Sequence, residues 1–274
     1  MIIDSHCHAG KGDGLTGPWD TAAPLDRYLR RARKAGIDRT VLLPAFHSNY
    51  REANRRLALF VARHPDRFFA FTMVHPVRDA GRVADLVHET VGEAGFCGIK
   101  VHRYDGRITR EICEVARAFS VPVLYDVMGE AAPIELIASE YREVAFIIPH
   151  LGSFSDDWRA HVAVTDQLVR FPNVHTDTAG VRRFDLLAAA VRRAGAHKVL
   201  FGSDGPWLHP GLELAKVRAL GLPAKDEALV LGGNFLRLVS RIRRPAVGLV
   251  PTGAAAGSQA PAEGPWAGSQ FPVA

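Results

Sequence analysis

The chain has 274 residues, 47% of them hydrophobic and 23% charged, the balance of a soluble globular protein able to bury one large core or two small ones. Its net charge of +5 comes mostly from arginines scattered along prospective helices, as in Arg30-Arg31, Arg55-Arg56 and Arg192-Arg193; with no dense basic tract, solvated helix faces are expected and nucleic-acid binding is not. No stretch has the length of a membrane span, and Cys7, Cys97 and Cys113 show no paired spacing, which argues against a disulfide framework and fits a reducing compartment.

From the N-terminus, Met1-Ile2-Ile3 runs straight into Asp4-Ser5-His6-Cys7-His8 without the parts of a secretory signal, so a cytoplasmic protein is expected. Alternate strand residues share a side, so His6 and His8 present two imidazoles together, suited to one metal ion. By the same parity Asp4 is placed to orient one of them from behind, and Cys7 faces away as a core thiol. Residues 9–23 are expected to form a long Gly-rich loop carrying Trp19, placed to act as a lid over a site.

Beyond it one unit repeats to about residue 240: a short run rich in Val, Ile, Leu and Phe, then a stretch with helical period. The strands are expected at 2–6, 40–44, 68–74, 98–102, 122–126, 144–150, 173–177 and 198–204. Between them, Leu25, Tyr28, Leu29 and Ala32 mark a helix stopped by Gly36. Ala53, Leu57, Phe60 and Val61 mark one stopped by Pro65, and Val83, Leu86 and Val87 one before Gly95. Thr109 caps the helix carrying Ile112, Val115, Ala116 and Phe119. Ser155, Asp156 and Asp157 start a helix that ends before Pro172, and Leu186, Leu187 and Val191 precede Gly195. Residues 245–274, rich in Ala, Gly, Pro, Ser and Gln, read as a flexible tail or an arm on a neighbouring subunit, leaving a single domain over 1–244.

Strands alternating with helices fit a closed parallel (β/α)₈ TIM barrel or an open doubly wound sheet, both α/β folds. The barrel is favoured by the polar residues at the C-terminal ends of the strands, where barrel enzymes place their chemistry: His6 and His8, His75, Lys100 and His102, Asp126, His150, Asp177 and Asp204. In a closed barrel the eighth strand neighbours the first, so Asp204 can reach an ion held by His6 and His8.

Asp-Ser-His-Cys-His at 4–8, Gly-Ile-Lys-Val-His at 98–102, Pro-His-Leu-Gly at 149–152, Gly-Ser-Asp-Gly-Pro at 202–206 and the closing segment 231–238 together resemble the amidohydrolase superfamily. The branch is the one containing aminocarboxymuconate-semialdehyde decarboxylase and metal-dependent hydrolases of the TIM-barrel fold. The resemblance covers roughly residues 1–240. It implies that His6, His8 and Asp204 bind metal, and that His150 binds metal or polarises the substrate. Lys100 holds the position of a lysine that is carboxylated in some relatives and binds substrate in others; the plain alternative is an ion pair with Asp126. Many relatives end the fifth strand with a metal-binding histidine. Here Asp126 stands there, either as an oxygen ligand or as a lost one. The implied cofactor is a divalent metal, zinc or manganese, one ion or two, and the branch suggests a homodimer.

Zinc brings the pKa of a bound water to about 7. Asp204 would accept that water's proton, and His150 would stabilise the developing oxyanion. The expected activity is hydrolysis of a small amide, lactone or ester; non-oxidative decarboxylation of an aromatic or dienoic acid, or ligand binding by a degenerate barrel, are the alternatives. Lys100, His102, Trp19 and Arg182 are the candidate substrate contacts, with Arg103 beside them. His47 and His75 read as substrate-side or structural, Asp177 as a partner of a neighbouring loop, and Trp207 as pocket wall. His64, His88, His161 and His197 are expected to be exposed and inert.

Overall fold

The computed structural model describes residues 1–16, 21–154 and 156–244. In chain order these form β1 (Ile3–Lys11), β2 (Ala22–Ala23), α1 (Leu25–Ala35), β3 (Arg39–Pro44), α2 (Tyr50–Ala62), β4 (Phe68–Ala70), β5 (Thr72–Met73), α3 (Val83–Val87), β6 (Ile99–His102), α4 (Arg110–Phe119), β7 (Val123–Asp126), α5 (Ala132–Glu140), β8 (Phe146–Ile148), α6 (Trp158–Arg170), β9 (Val174–Asp177), α7 (Phe184–Ala194), β10 (Val199–Leu200), α8 (Pro210–Arg218), α9 (Ala224–Ala228) and α10 (Asn234–Val239). The expected strands all appear. The predicted third strand is one stave in two parts: Phe71 N–H still reaches back to Leu42 (3.1 Å), whereas Thr72 N–H reaches forward to Gly98 (2.8 Å). β4 therefore pairs with β3, and β5 with β6.

The staves run parallel in the order β1-β3-β4 and β5-β6-β7-β8-β9-β10. The seam between last and first closes through Ser5 N–H to Phe201 (2.9 Å), Asp204 N–H to the His6 carbonyl (2.7 Å) and His8 N–H to Gly205 (2.6 Å). This is the α/β TIM barrel expected from the polar strand ends. Gly202 permits the seam: a Cβ there would lie 2.9 Å from that of His6.

The predicted helix ends hold for the same local reasons. Gly36 closes α1 in the left-handed conformation, and the Thr109 hydroxyl accepts from Ile112 N–H at the start of α4. Asp157 caps α6 through Arg159 and Ala160 N–H; Ser155 lies outside the described residues, as do Trp19 and the tail at 245–274. The Gly-rich segment is partly ordered as strand, because β1 continues to Lys11 and pairs antiparallel with β2. Of the four histidines expected to be exposed, His64 and His197 are, and His88 is half-buried beside Glu93. His161 is instead fully buried, on the α6 face that also buries Val164 and Leu168, where its Nε2 meets the Ser153 carbonyl at 3.0 Å.

Two apolar layers result. The outer one, between staves and helices, includes Cys7, Tyr28, Leu42, Ile112, Phe119, Tyr125 and Val164. The inner one fills the barrel with Ile3, Val41, Leu43, Phe71, Leu124, Ile147 and Leu200, and α10 plugs its lower end with Phe235 against Phe69 and Phe71. Cys7, Cys97 and Cys113 are free and buried. Among the described residues no helix is long and apolar enough to cross a membrane.

The β1–β3 register shifts between Asp4 and Cys7: three steps on β1 match two on β3. Such a bulge reverses which side the preceding residues face. Ile3 consequently lies inside the barrel, whereas Asp4 turns outward to Tyr28 of α1. Plain alternation misplaces Asp4 for that reason; it cannot support the His6 ring.

His175, on β9, is 3% exposed and burial pushes its pKa down to about 3. It folds in neutral, while in the unfolded chain it titrates near the ordinary value of 6.5. This group's contribution is therefore complete above about pH 6.5 and is lost as pH falls toward 3. At pH 5 it removes roughly 2 kcal/mol relative to pH 7. Denaturant unfolding at both pH values is expected to show that extra loss in the wild type and not in His175→Leu; equal losses would assign the effect elsewhere.

Candidate metal centre

Three side chains from two staves converge at the mouth of the barrel: His6 from the bulge of β1, His8 just beyond it, and Asp204 from the seam after β10. The His6 and His8 Nε2 atoms lie 3.5 and 3.7 Å from Asp204 Oδ1. The three ligand atoms lie within 4.8 Å of one another, all in buried residues, a spacing that could hold one metal ion. Asp204 sits at φ 55, a left-handed conformation that an aspartate tolerates better than most residues.

The far side of each ring fixes its tautomer. His6 Nδ1 lies 2.8 Å from Asp177 Oδ2, and His8 Nδ1 lies 3.1 Å from the Pro44 carbonyl. Both partners are acceptors, so each Nδ1 carries the proton and each Nε2 presents a lone pair. His6 Nε2 is buried without a hydrogen-bond partner, which a cation would supply. Two imidazole nitrogens with a carboxylate oxygen suit zinc and neighbouring divalent ions. Burial lowers the pKa of both rings, for His8 well below the ordinary value, and so favours the neutral, ligating form.

Across the cavity stands His150. It follows β8 in a turn where His150 (φ 58, ψ 24) and Leu151 (φ 51, ψ 31) are both left-handed. Gly152 completes the turn against α6, where a Cβ would meet Val164 at 2.6 Å. His150 Nδ1 bonds the Ala179 carbonyl at 2.8 Å, and Nε2 faces Asp126 Oδ2 at 3.5 Å. Burial opposes its protonation, but the Asp126 carboxylate prevails and raises its pKa to about 9.

Asp126 joins a different group from the one expected of an oxygen ligand. Its Oδ2 faces His102 Nε2 at 3.3 Å as well as His150, and its Oδ1 accepts from Met128 N–H at 2.9 Å. His102 Nδ1 accepts from Tyr104 N–H (3.1 Å), which leaves the neutral ring's proton on Nε2, directed at Asp126. Despite burial, these imidazoles hold the Asp126 carboxyl well below the usual range. Asp126 belongs to neither three-residue group that could hold an ion among the described residues, His6–His8–Asp204 or His6–His150–Asp177.

The cavity at the barrel mouth measures about 390 Å³ and is lined by His6, His8, Lys100, His102, Asp126, His150 and Asp204, with Phe46, Met128, Ser153, Phe154 and Trp207 as further walls. Lys100 is 1% exposed. Arg182 lies away from the cavity: its side chain is 71% exposed and meets Asp156 at 3.5 Å, because the turn after β9 carries it outward. His47 and His75 use their Nδ1 atoms to accept from backbone N–H groups of their own loops. Asp177 is the residue whose importance sequence reading missed. Its position at a strand end was visible; its contact with a ring 171 residues earlier in the chain was not.

No curated protein matches the chain in sequence. Solved structures resemble it in fold. An amidohydrolase from Burkholderia multivorans has a TM-score of 0.69 at 16% identity, over 88% of this chain and 99% of that one. A dihydroxybenzoic acid decarboxylase from Polaromonas, with manganese and the inhibitor 2-nitroresorcinol bound, has 0.65 at 18%, over 87% and 96%. A Pseudomonas putida protein assigned provisionally as a 2-pyrone-4,6-dicarboxylic acid hydrolase has 0.64 at 18%, over 87% and 97%. The amidohydrolase family profile matches residues 3–241, which take in every stave and the helix that plugs the barrel, and the chain therefore belongs to the amidohydrolase family.

Proposed function

We propose that this protein is a metal-dependent hydrolase that cleaves a small amide, lactone or ester with water. The observation that carries the reading is the convergence of His6 Nε2, His8 Nε2 and Asp204 Oδ1 inside the cavity. Those residues would hold one divalent ion. Zinc is the preferred identity, and the manganese of the Polaromonas neighbour makes that ion the alternative. When bound, such an ion polarises a carbonyl oxygen and brings the pKa of water to about 7. Asp204 takes the proton of the attacking water and returns it to the leaving group. His150, braced by Ala179 and Asp126, faces the carbonyl oxygen as negative charge develops there. Phe46, Phe154 and Trp207 supply apolar walls. Lys100 is the one Lys or Arg among the described lining residues, which include the carboxylates of Asp126 and Asp204, and this balance favours a neutral or singly charged substrate.

Decarboxylation is the second reading. It is favoured by the same lysine in a cavity that also has aromatic walls, a setting for an aryl carboxylate, and by the decarboxylase among the fold neighbours. Elemental analysis of protein prepared without chelator tests the metal. The wild type is expected to carry about one ion, His6→Ala to lose most of it, and Asp126→Ala to keep it. Unchanged content in His6→Ala would sink the assignment. Turnover in ¹⁸O-labelled water then separates the reactions: hydrolysis places the label in the acid product, whereas decarboxylation releases carbon dioxide and leaves the organic product unlabelled.

A further inference from the structure

Asp177 ends β9 and is fully buried. Its Oδ2 accepts from His6 Nδ1 at 2.8 Å; its Oδ1 accepts from the backbone N–H of His150 at 2.9 Å and of Ala179 at 3.1 Å. Ala179 offers its carbonyl to His150 Nδ1 at 2.8 Å. Residues 177–179 thus reach two site imidazoles from behind, each at Nδ1 and each through an acceptor. Both Nε2 atoms are left for the cavity. The backbone contact has a second effect. His150 and Leu151 occupy consecutive left-handed conformations, unfavourable for residues with a Cβ, and the Oδ1 bond pins the first of them.

The geometry points to Asp177 as a positioning residue that sets, with one carboxylate, the ring tautomer of His6 and the turn presenting His150. It is absent from the cavity lining and from the His6–His8–Asp204 group. Its ligand atoms do lie within 4.8 Å of those of His6 and His150, but its hydrogen bonds to His6 Nδ1 and the His150 backbone occupy both oxygens, so it acts through the two histidines. The consequence for metal affinity rests on the metal reading above, whereas the tautomer does not. Asparagine cannot substitute. Its oxygen can serve His6 only if its NH₂ confronts the N–H groups of His150 and Ala179, donor against donor, so one side is always lost.

Nitrogen-15 NMR of the full chain, before zinc is added, is expected to show His6 protonated at Nδ1 and bare at Nε2; His6→Gln identifies the resonance. A His6 ring protonated at Nε2 overturns the inference, whatever reaction the protein catalyses. In Asp177→Asn, zinc affinity measured by competition with a chromophoric chelator is expected to fall 10- to 100-fold, with the far-ultraviolet circular dichroism retained. A folded Asp177→Asn that keeps both the His6 tautomer and the zinc affinity, even with a lowered Tm, overturns it. If the variant does not fold, the wild-type spectrum decides. A wild type that takes up no zinc removes the metal reading and leaves the tautomer measurement to judge this one.

Discussion

Asp204→Asn is expected to lower kcat by about 10²- to 10⁴-fold, the range for losing a positioned acid–base group, and to weaken zinc binding at the same time. The substitution keeps the shape of the side chain and suits the backbone, since asparagine also tolerates the left-handed conformation found at φ 55. What it removes is the negative charge 3.5 and 3.7 Å from the Nε2 atoms of His6 and His8 and the ability to accept a proton. Both losses come from one atom, so restoring metal saturation with excess zinc is expected to recover binding without recovering kcat. Full recovery of kcat at saturating zinc would reduce Asp204 to a ligand alone and shift the proton to another group.

Asp4→Ala is expected to be the most destabilising single substitution near the site, at about 4 kcal/mol. Asp4 is fully buried and accepts from Tyr28 Oη (2.7 Å), Ser203 N–H (2.9 Å), His6 N–H (3.2 Å) and the Ser203 hydroxyl. Each donor left buried without an acceptor costs about 1–3 kcal/mol. In a domain of this size each kcal/mol moves Tm by about 2–4 °C, so a drop on the order of 10 °C should be read in thermal melts. The damage falls on the seam between the last and first staves, and activity should fall with stability. A change below about 1 kcal/mol would show that the seam holds without the carboxylate. Tyr28→Phe, which removes one donor and leaves the acceptor with its other partners, is the mild control.

Much of the fold could be read locally. The burial of short apolar runs, the Gly and Pro stops and the Thr109 cap depend on neighbours a few residues away, and their places in the structure match. The bulge in β1 is a different matter. Nothing in Asp4-Ser5-His6 announces an extra residue, and its effect, Asp4 facing Tyr28 rather than the His6 ring, follows from pairing with β3. His161 was readable and misread: its spacing from Val164 and Leu168 puts it on the buried face of α6, a pattern that outweighs its polarity.

The order of residues alone determined which histidines and aspartates stand at strand ends and that strands alternate with helices, because periodicity and turn residues act over short range. Only the tertiary structure decided who supports whom. Asp177 rather than Asp4 braces His6, and Asp126 sits between His102 and His150 rather than in either group that could hold an ion. The physical reason is that hydrogen-bond partners are chosen by distance across staves, which a bulge of one residue or the outward path of a turn can change without altering any local pattern.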